Sequence, residues 1–206
     1  MINAVIDVSH HNGPSLDFAR ARAAGILGVI HKATQGLANK DPMYAVNRQK
    51  ATEAGLLWGA YHFATGGDGA AQAQAFLDAV GDRTNVLLVL DFEQNTAGPS
   101  MTLDDAHTFV ARIHEATGTW PGFYSGSYIK ALLHGTIDPV LRNCWFWLAQ
   151  YGPTAVVPPT WPTWTMWQYT DGGQGNADDP VDGVGHCDRD RFNGAPDRLH
   201  ALWTGA

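Results

Sequence analysis

The stretch Val86-Leu87-Leu88-Val89-Leu90-Asp91-Phe92-Glu93 gives the clearest indication of the fold. Its five consecutive apolar residues are typical of a strand that is buried on both faces, as in a parallel sheet. Alternate residues of a strand point to the same side, with Cα atoms roughly 6.5 Å apart, so Asp91 and Glu93 should project together. Two buried carboxyls repel, which raises the pKa of at least one and divides the pair into a proton donor and an anion. On spacing alone, a strand that simply ends at the surface explains the two acids equally well.

Strands and helices alternate on both sides of this stretch, and several of the helices end at a glycine such as Gly25 or Gly55. Short connections between alternating strands and helices predict a parallel sheet, either open or closed into a barrel. The pattern predicts strands at 4–9, 27–34, 56–63, 86–93 and 121–125, and helices at 16–24, 44–54, 70–80, 102–116 and 127–133.

The last third of the chain breaks the alternation, since strands at 144–151, 163–169 and 187–192 follow one another without helices of normal length. Five strand–helix units and three closing strands make eight strands. We therefore predict an α/β fold of one domain, a modified TIM-like (β/α)5(β)3 barrel. An open doubly wound sheet is the alternative, but no glycine fingerprint for a dinucleotide follows the first strand.

Composition narrows the class of partner. The 206 residues suit a single domain with a substantial core. The net charge of −7 argues against nucleic acid as a partner. We expect Cys144 and Cys187 to be free thiols, because two cysteines are too few for a disulfide scaffold and show no zinc-binding spacing.

The chain shows no targeting or membrane segment. No stretch reaches the length of a membrane span, so we expect no membrane partner. The N-terminus lacks a basic region followed by an apolar core and a cleavage site. The protein is therefore expected either to be made in the cytoplasm or to have lost its leader, and we expect a monomer.

In a parallel barrel the carboxyl ends of the strands meet at one rim, where catalytic residues of such folds are found. Acidic, aromatic and amide side chains follow these strands. Aromatic rings stack on sugars, amides bind hydroxyls and paired carboxylates perform acid–base chemistry, so the rim predicts a carbohydrate site. The strand ends carry Asp7, Lys32, Tyr61, His62, Asp91, Glu93, Tyr124, Gln150, Tyr151, Gln168 and Tyr169.

Seven short motifs, in order along almost the whole chain, resemble those of the glycoside hydrolase family 25 lysozymes, the Chalaropsis-type N-acetylmuramidases. The motifs are Val5-Ile6-Asp7-Val8-Ser9, Lys32-Ala33-Thr34-Gln35-Gly36, Gly59-Ala60-Tyr61-His62-Phe63, Leu90-Asp91-Phe92-Glu93, Trp147-Leu148-Ala149-Gln150-Tyr151, Trp167-Gln168-Tyr169 and Asp188-Arg189-Asp190-Arg191-Phe192-Asn193-Gly194.

The resemblance implies a barrel of eight strands and five helices with an antiparallel last strand, and cleavage of the β-1,4 bond between N-acetylmuramic acid and N-acetylglucosamine in peptidoglycan. Glu93 matches the general acid, Asp91 the second catalytic carboxylate, and Asp7 and Asp188 acids that line the same cleft. The remaining substrate-binding candidates are Tyr61, His62, Tyr124, Gln150, Tyr151, Trp167 and Gln168.

The resemblance further implies no metal and no cofactor, a peptidoglycan glycan strand as the partner, and action on the cell wall after release or export. The whole chain, 1–206, corresponds to the catalytic domain, so no separate wall-binding module is expected.

The chain departs from the family at several positions around the expected cleft. Gln35 stands where the family usually has Glu, and Gln150 where it often has His. Ala64-Thr65-Gly66-Gly67 replaces a frequent Arg-Pro, and Asp190 occupies the position of an Asn. We favour Asp188 over Asp190 as the cleft acid. These departures affect the expected substrate preference more than the reaction.

The spacing of Asp91 and Glu93 does not choose between stereochemical outcomes. Retaining glycosidases hold their carboxyls about 5–5.5 Å apart and inverting ones about 6.5–9.5 Å apart, and side-chain rotamers of these two residues allow either. A third route uses the 2-acetamido group of the sugar as the nucleophile, with Asp91 stabilising the ring that forms. Because both acids lie on one strand face, we favour this route.

Three other function classes remain open. A metal-dependent deacetylase would use Asp7, His10, His11 and His62 as ligands, although adjacent histidines on a strand end point to opposite sides. A non-catalytic wall-polysaccharide-binding protein would bind without turnover, and the intact Asp91/Glu93 pair counts against it. A serine hydrolase at 124–127 lacks the G-x-S-x-G turn.

Overall fold

The computed structural model describes residues 1–173 and 180–205. Nine strands lie in this described part of the chain and form one sheet. They are β1 (Ile2–Val8), β2 (Gly28–Gln35), β3 (Asn39–Lys40), β4 (Leu57–Phe63), β5 (Val86–Asp91), β6 (Gly122–Ser125), β7 (Trp145–Ala149), β8 (Met166–Thr170) and β9 (Asp188–Phe192).

Eight of the strands close into a barrel in the order β1-β9-β8-β7-β6-β5-β4-β2, and pairing of β1 with β2 completes the ring. The pairs are parallel except where β9 runs antiparallel to both β1 and β8. The short strand β3 pairs only with β2, as an antiparallel extension. The carboxyl ends of seven strands therefore open at one rim, to which β9 contributes its first residue, Asp188, paired with Asp7.

Six helices are described: α1 (Phe18–Ala23), α2 (Tyr44–Glu53), α3 (Gly69–Val80), α4 (Leu103–Thr117), α5 (Ser127–Leu133) and α6 (Pro196–Thr204). Side-chain caps fix where three of them begin. Asp17 and Asp68 accept from backbone N–H groups in the first turns of α1 and α3, and Thr102 does the same for α4. Gly69 lets α3 and α4 approach closely, because a Cβ there would lie 1.9 Å from the carbonyl oxygen of Asp105.

The strand period of two divides the apolar residues into two layers. One layer lies between the sheet and the helices and includes Leu90 and Phe92 from the sheet side and Phe109 from α4. The other fills the lower part of the barrel and includes Val89 and Met166. The upper end of the barrel, at the carboxyl ends of the strands, is where folds of this kind carry a polar site.

Helix α6 closes the lower end of the barrel. The ring of Trp203 packs into the inner layer, and its indole N–H donates to the carbonyl of Trp58 at 2.8 Å. Gly28 faces the same ring, since a Cβ on that residue would lie 3.3 Å from it.

The predicted barrel of five strand–helix units and three closing strands is confirmed, with the antiparallel last strand. Strand β5 ends at Asp91 rather than Glu93, and β8 begins at Met166 instead of residue 163. The two-residue strand β3 and helix α6 were not predicted, so the count of helices rises from five to six. Both cysteines are free and buried, as expected. None of the described helices has the length and apolar character needed to cross a membrane.

Candidate active site

A cavity of about 400 Å³ lies at the upper rim of the barrel. Its walls come from the ends of most of the strands and from the loop after β1. The lining residues are Asp7, Ser9, His11, Asn12, Lys32, Tyr61, Phe63, Asp91, Glu93, Tyr124, Trp147, Tyr151, Gln168 and Asp188. Carboxyl, aromatic and amide groups therefore converge on one open space.

Asp91 and Glu93 both face this cavity because Phe92 between them faces the helices. The Phe92 ring is fully buried and packs against Phe123 and Tyr128, with ring centroids 5.4 and 5.0 Å away. The backbone N–H of Phe92 donates to the carbonyl of Tyr124 at 2.9 Å, so the strand geometry continues one residue past the end of β5. Alternation then directs both carboxyls inward.

Burial raises the pKa of both carboxyls. It raises the pKa of Asp91 well above its ordinary value, and the charge of Glu93 raises it further, whereas the Lys32 ammonium lowers it. The pKa of Glu93 is raised by burial alone. The pair therefore retains a proton at higher pH than isolated acids do, because burial and the charge of Glu93 outweigh the effect of Lys32 on Asp91.

One oxygen of Asp91 lacks a hydrogen-bond donor in the described part of the protein. Among the described residues no donor reaches its buried Oδ1. An unpaired buried acceptor is costly, so this oxygen is available to accept a hydrogen bond from a bound ligand.

The wall of the cavity opposite Asp91 and Glu93 carries a chain of hydrogen bonds. The amide N–H of Gln168 donates to Asp7 Oδ2 at 2.9 Å, and the amide oxygen of Gln168 accepts from the Tyr124 and Tyr151 hydroxyls at 2.8 and 3.3 Å. Asp188 also lines this wall, and burial together with the charge of Asp171 raises the pKa of Asp188 to about 6.

Asp190 lies below the cavity and does not line it. Its carboxyl is completely buried, and Oδ1 accepts from the indole N–H of Trp147 at 2.7 Å. The acid of β9 that lines the cleft is thus Asp188, which lies two residues nearer the rim than Asp190.

Comparison with known proteins identifies the family. Residues 6–177 match the model described as Glycosyl hydrolases family 25. The chain belongs to glycosyl hydrolase family 25. Lysozyme M1 of Streptomyces globisporus is 34% identical over 96% of this chain and 70% of its own length, and the N,O-diacetylmuramidase of Chalaropsis sp is 30% identical over 97% and 98%.

Solved structures show the same family 25 fold. The bacterial lysozyme from Streptomyces coelicolor superposes with a TM-score of 0.87 at 33% identity, over 100% of this chain and 99% of that one. The family GH25 lysozyme from Aspergillus fumigatus gives a TM-score of 0.84 at 32% identity, over 98% and 99%.

Most of the residues predicted for the family 25 site lie together. Asp7, Tyr61, Tyr124, Tyr151, Gln168 and Asp188 line the cavity with Asp91 and Glu93. Gln150 lies beside it, in a small adjoining pocket that also borders Glu93 and Tyr151, and its amide oxygen accepts from Lys130 Nζ at 2.6 Å.

The structure does not bring His62 to the cleft, and its proposed contact with substrate is corrected. His62 alternates with Tyr61 on β4 and faces the helices, where it is completely buried. Its ring nitrogens are hydrogen-bonded to Thr34 Oγ1 at 2.7 Å and Gln72 Oε1 at 3.1 Å, and its ring stacks on Phe109. His62 therefore holds helix α3 against the barrel.

The same correction applies to Trp167. It alternates with Gln168 on β8 and packs on the outer layer, where the Arg191 guanidinium lies 5.2 Å from its ring. Its indole N–H donates to the carbonyl of Gln150 at 2.6 Å. Tyr169, also named at a strand end, is buried in the outer layer as well.

Sequence reasoning missed several cavity residues. His11 and Asn12 follow β1 in a single 3-10 turn capped by Ser9, and Phe63 is the last residue of β4. Trp147 lies on β7 and its side chain points into the barrel, whereas those of its neighbours Phe146 and Leu148 point out. This strand alternation is the sequence signal that could have indicated its place in the cavity.

The ligand set of a deacetylase is not assembled. Asp7 faces the barrel interior, whereas His62 lies behind its wall and His10 Nδ1 is hydrogen-bonded to Asp41 Oδ2 at 2.7 Å. Within 1–173 and 180–205, no three side chains of metal-binding type come close enough to hold an ion.

Proposed function

We propose that this protein is a muramidase that hydrolyses the β-1,4 bond between N-acetylmuramic acid and N-acetylglucosamine in peptidoglycan. The observation that carries the proposal is the placement of Asp91 and Glu93 in one open cleft at the rim of the barrel. A buried carboxyl pair with raised pKa values supplies the proton donor and the anion that glycoside hydrolysis needs. Relatives named as lysozymes and muramidases support this substrate.

Glu93 is the general acid in this proposal. Its side chain is only half-buried, so its carboxyl reaches the open part of the cleft, whereas Asp91 lies deeper. Burial and the charge of Glu93 outweigh Lys32 and raise the pKa of Asp91 further than burial raises that of Glu93, so the assignment of Glu93 as the acid rests on its position in the open part of the cleft and not on these pKa shifts. Glu93 then donates its proton to the glycosidic oxygen as the bond breaks.

Asp91 orients and stabilises the 2-acetamido group of the sugar. Oδ1 of Asp91 has no donor within the described part of the protein, and an acetamido N–H would supply one. The acetamido carbonyl oxygen attacks the anomeric carbon, and the Asp91 carboxylate stabilises the positive charge that develops on the ring. Water then completes hydrolysis with retention of the β-anomer.

The opposite wall holds the sugar rings. Tyr151, whose surface is 51% exposed at the mouth of the cleft, offers a ring face for stacking. Tyr124, Gln168 and Asp7 offer hydroxyl, amide and carboxyl groups to sugar hydroxyls. We infer a glycan strand of the cell wall as the partner of a monomeric enzyme.

Mass spectrometry of peptidoglycan fragments tests the proposal. Digestion of purified cell walls should release fragments whose reducing ends are N-acetylmuramic acid. Reducing ends of N-acetylglucosamine would instead indicate a glucosaminidase, and loss of acetate without chain cleavage would indicate a deacetylase. Either of these results would overturn the proposal.

A further inference from the structure

A small cavity of about 190 Å³ adjoins the cleft at Glu93. Glu93, Tyr124, Tyr151 and Gln168 line both spaces, whereas Asp91 lines only the larger of the two. Glu93 therefore borders two cavities, and its partner acid lies in one of them. The small cavity is completed by residues at the carboxyl ends of β6 and β7, which are Gly126, Ser127, Ala149 and Gln150.

This division separates the two sugars of the substrate. In the function proposed above, on which this inference rests, Glu93 protonates the glycosidic oxygen that joins the two sugars. Asp91 contacts the sugar that keeps the anomeric carbon, so that sugar occupies the larger cavity. The leaving sugar, N-acetylglucosamine, then extends from Glu93 into the small cavity, where Gln150 lies.

The side-chain amide of Gln150 is held in one orientation. Lys130 Nζ donates to Gln150 Oε1 at 2.6 Å, and Gln150 Nε2 donates to the backbone carbonyl of Thr154. An ammonium group only donates and a carbonyl only accepts, so these two partners identify which end of the amide is oxygen and which is nitrogen. A reversed amide would lose both hydrogen bonds.

The backbone of Gln150 is fixed as well. Its carbonyl accepts from the indole N–H of Trp167 at 2.6 Å, and its N–H donates to the carbonyl of Gln168 at 3.2 Å. The side chain therefore starts from a rigid point at the end of β7, and its contact with Lys130 decides how the amide is presented.

One N–H of the Gln150 amide is left for a ligand. The amide nitrogen carries two hydrogens, and the carbonyl of Thr154 accepts one of them. The described residues provide no acceptor for the second. Gln150 is only half-buried and lines the small cavity, so a hydroxyl or acetamido oxygen of the leaving sugar can accept this hydrogen.

We propose that Lys130 is a positioning residue that fixes the Gln150 amide so that its free N–H binds an oxygen of the leaving sugar. Lys130 lies on α5 and lines neither cavity, so it acts through Gln150 rather than by touching the sugar. Its ammonium forms no ion pair with the other described residues, which leaves Gln150 Oε1 as its side-chain partner.

Two substrates that differ only in the leaving group test the proposal. One ends in N-acetylglucosamine as the leaving sugar, and in the other a nitrophenyl group replaces that sugar. Lys130→Met keeps the aliphatic stem and removes the ammonium, so kcat/KM for the sugar substrate should fall about three- to tenfold, the effect of one hydrogen bond. The nitrophenyl group offers the small cavity no sugar oxygen, so kcat/KM for this substrate should fall by no more than about twofold.

The exposed Lys50 on α2 supplies the matched control, because Lys50→Met removes the same charge far from the cleft and should change neither value. Equal losses by Lys130→Met on both substrates would show a general structural effect and overturn the proposal. An unchanged kcat/KM for the sugar substrate in Lys130→Met would overturn it as well.

A double-mutant cycle tests whether Lys130 acts through Gln150. Gln150→Ala should lower kcat/KM for the sugar substrate at least as much as Lys130→Met does. Adding Lys130→Met to Gln150→Ala should then cause no further loss, because the group that Lys130 positions is already absent. Losses that simply add would show that Lys130 acts by another route and would overturn the positioning role.

The activity of the wild-type protein separates this inference from the proposed function. A wild type that cleaves neither substrate would overturn the proposed function and the role of Lys130 with it. A wild type that cleaves both, with a Lys130→Met variant that loses activity equally on each, would overturn the role of Lys130 alone.

Discussion

The carboxyls of Asp91 and Glu93 share one cleft although Asp91 is the last residue of β5 and Glu93 lies beyond it. The buried Phe92 and its backbone hydrogen bond to Tyr124 keep the chain extended between them. The loop that carries Glu93 is therefore anchored by a core residue. This arrangement leaves the Glu93 carboxyl open to the cleft and still fixes its position, as the proposed role of Glu93 as general acid requires.

Glu93→Gln should abolish wall hydrolysis while leaving the fold and substrate binding nearly intact. Gln keeps the shape of the side chain and removes the transferable proton, whose contribution is typically on the order of 10²–10⁴-fold. Clearing of a cell-wall suspension measures the activity, and sedimentation with insoluble walls measures binding.

Glu115→Gln is the matched control for this substitution. Glu115 is a helix-surface residue whose side chain is 74% exposed, so its loss of charge should leave activity unchanged. Wall clearing by Glu93→Gln within threefold of the wild-type rate would remove Glu93 from the mechanism.

Hydrolysis should require the 2-acetamido group of the sugar on the glycone side of the bond. An oligosaccharide in which hydroxyl replaces this group lacks both the attacking carbonyl and the N–H that would pair with Asp91 Oδ1. We expect turnover of this analogue to be lost, and Asp91→Asn to reduce turnover of the natural substrate.

Time-resolved NMR should show the β-anomer as the first product. A first-formed α-anomer, or full activity on the hydroxyl analogue, would contradict the substrate-assisted route.

The alternation of strand residues explains how much of the site could be predicted. The run 86–90 followed by Asp91 and Glu93 indicated both the buried strand and the acid pair, because period-two geometry places them on one face. The ends of β1, β6 and β8 likewise predicted Asp7, Tyr124 and Gln168.

The failures have a physical cause as well. His62 and Trp167 lie next to true cleft residues, and a one-residue step reverses the direction of a side chain. His62 is polar, which favours an exposed site, yet its two buried partners, Thr34 and Gln72, are distant in sequence and not visible as a pattern. Helix α6 was missed although Pro196 at its first turn is a recognised signal.

Dialysis against a chelator should leave wall hydrolysis unchanged. The proposed chemistry uses the Asp91 and Glu93 carboxyls and the acetamido group, none of which needs an ion. The measurement compares wall clearing before and after dialysis, with buffer alone as the control. A large loss that added zinc restores would favour the metal-dependent alternative.

Burial of His62 should make the protein less stable at mildly acidic pH. Burial lowers the pKa of His62 from 6.5 to about 4, so the unfolded state takes up a proton at this residue before the folded state does. The stabilisation from keeping the ring neutral is fully present above pH 6.5 and is lost as the pH falls through 4. A shift of this size corresponds to about 3 kcal/mol of unfolding free energy.

Urea unfolding between pH 7.5 and pH 4.5 measures this dependence, and His62→Gln isolates the part that belongs to His62. The wild type should lose stability relative to the variant as the pH falls, whereas at high pH the variant should be the less stable protein because it loses the ring contacts with Phe76 and Phe109. His200→Gln, on the surface of α6, controls for the removal of a histidine from the chain. Parallel pH dependences in the wild type and His62→Gln would show that His62 does not control stability in this range. The buried acids, whose raised pKa values cost stability as the pH rises, are common to both proteins and cancel in the difference.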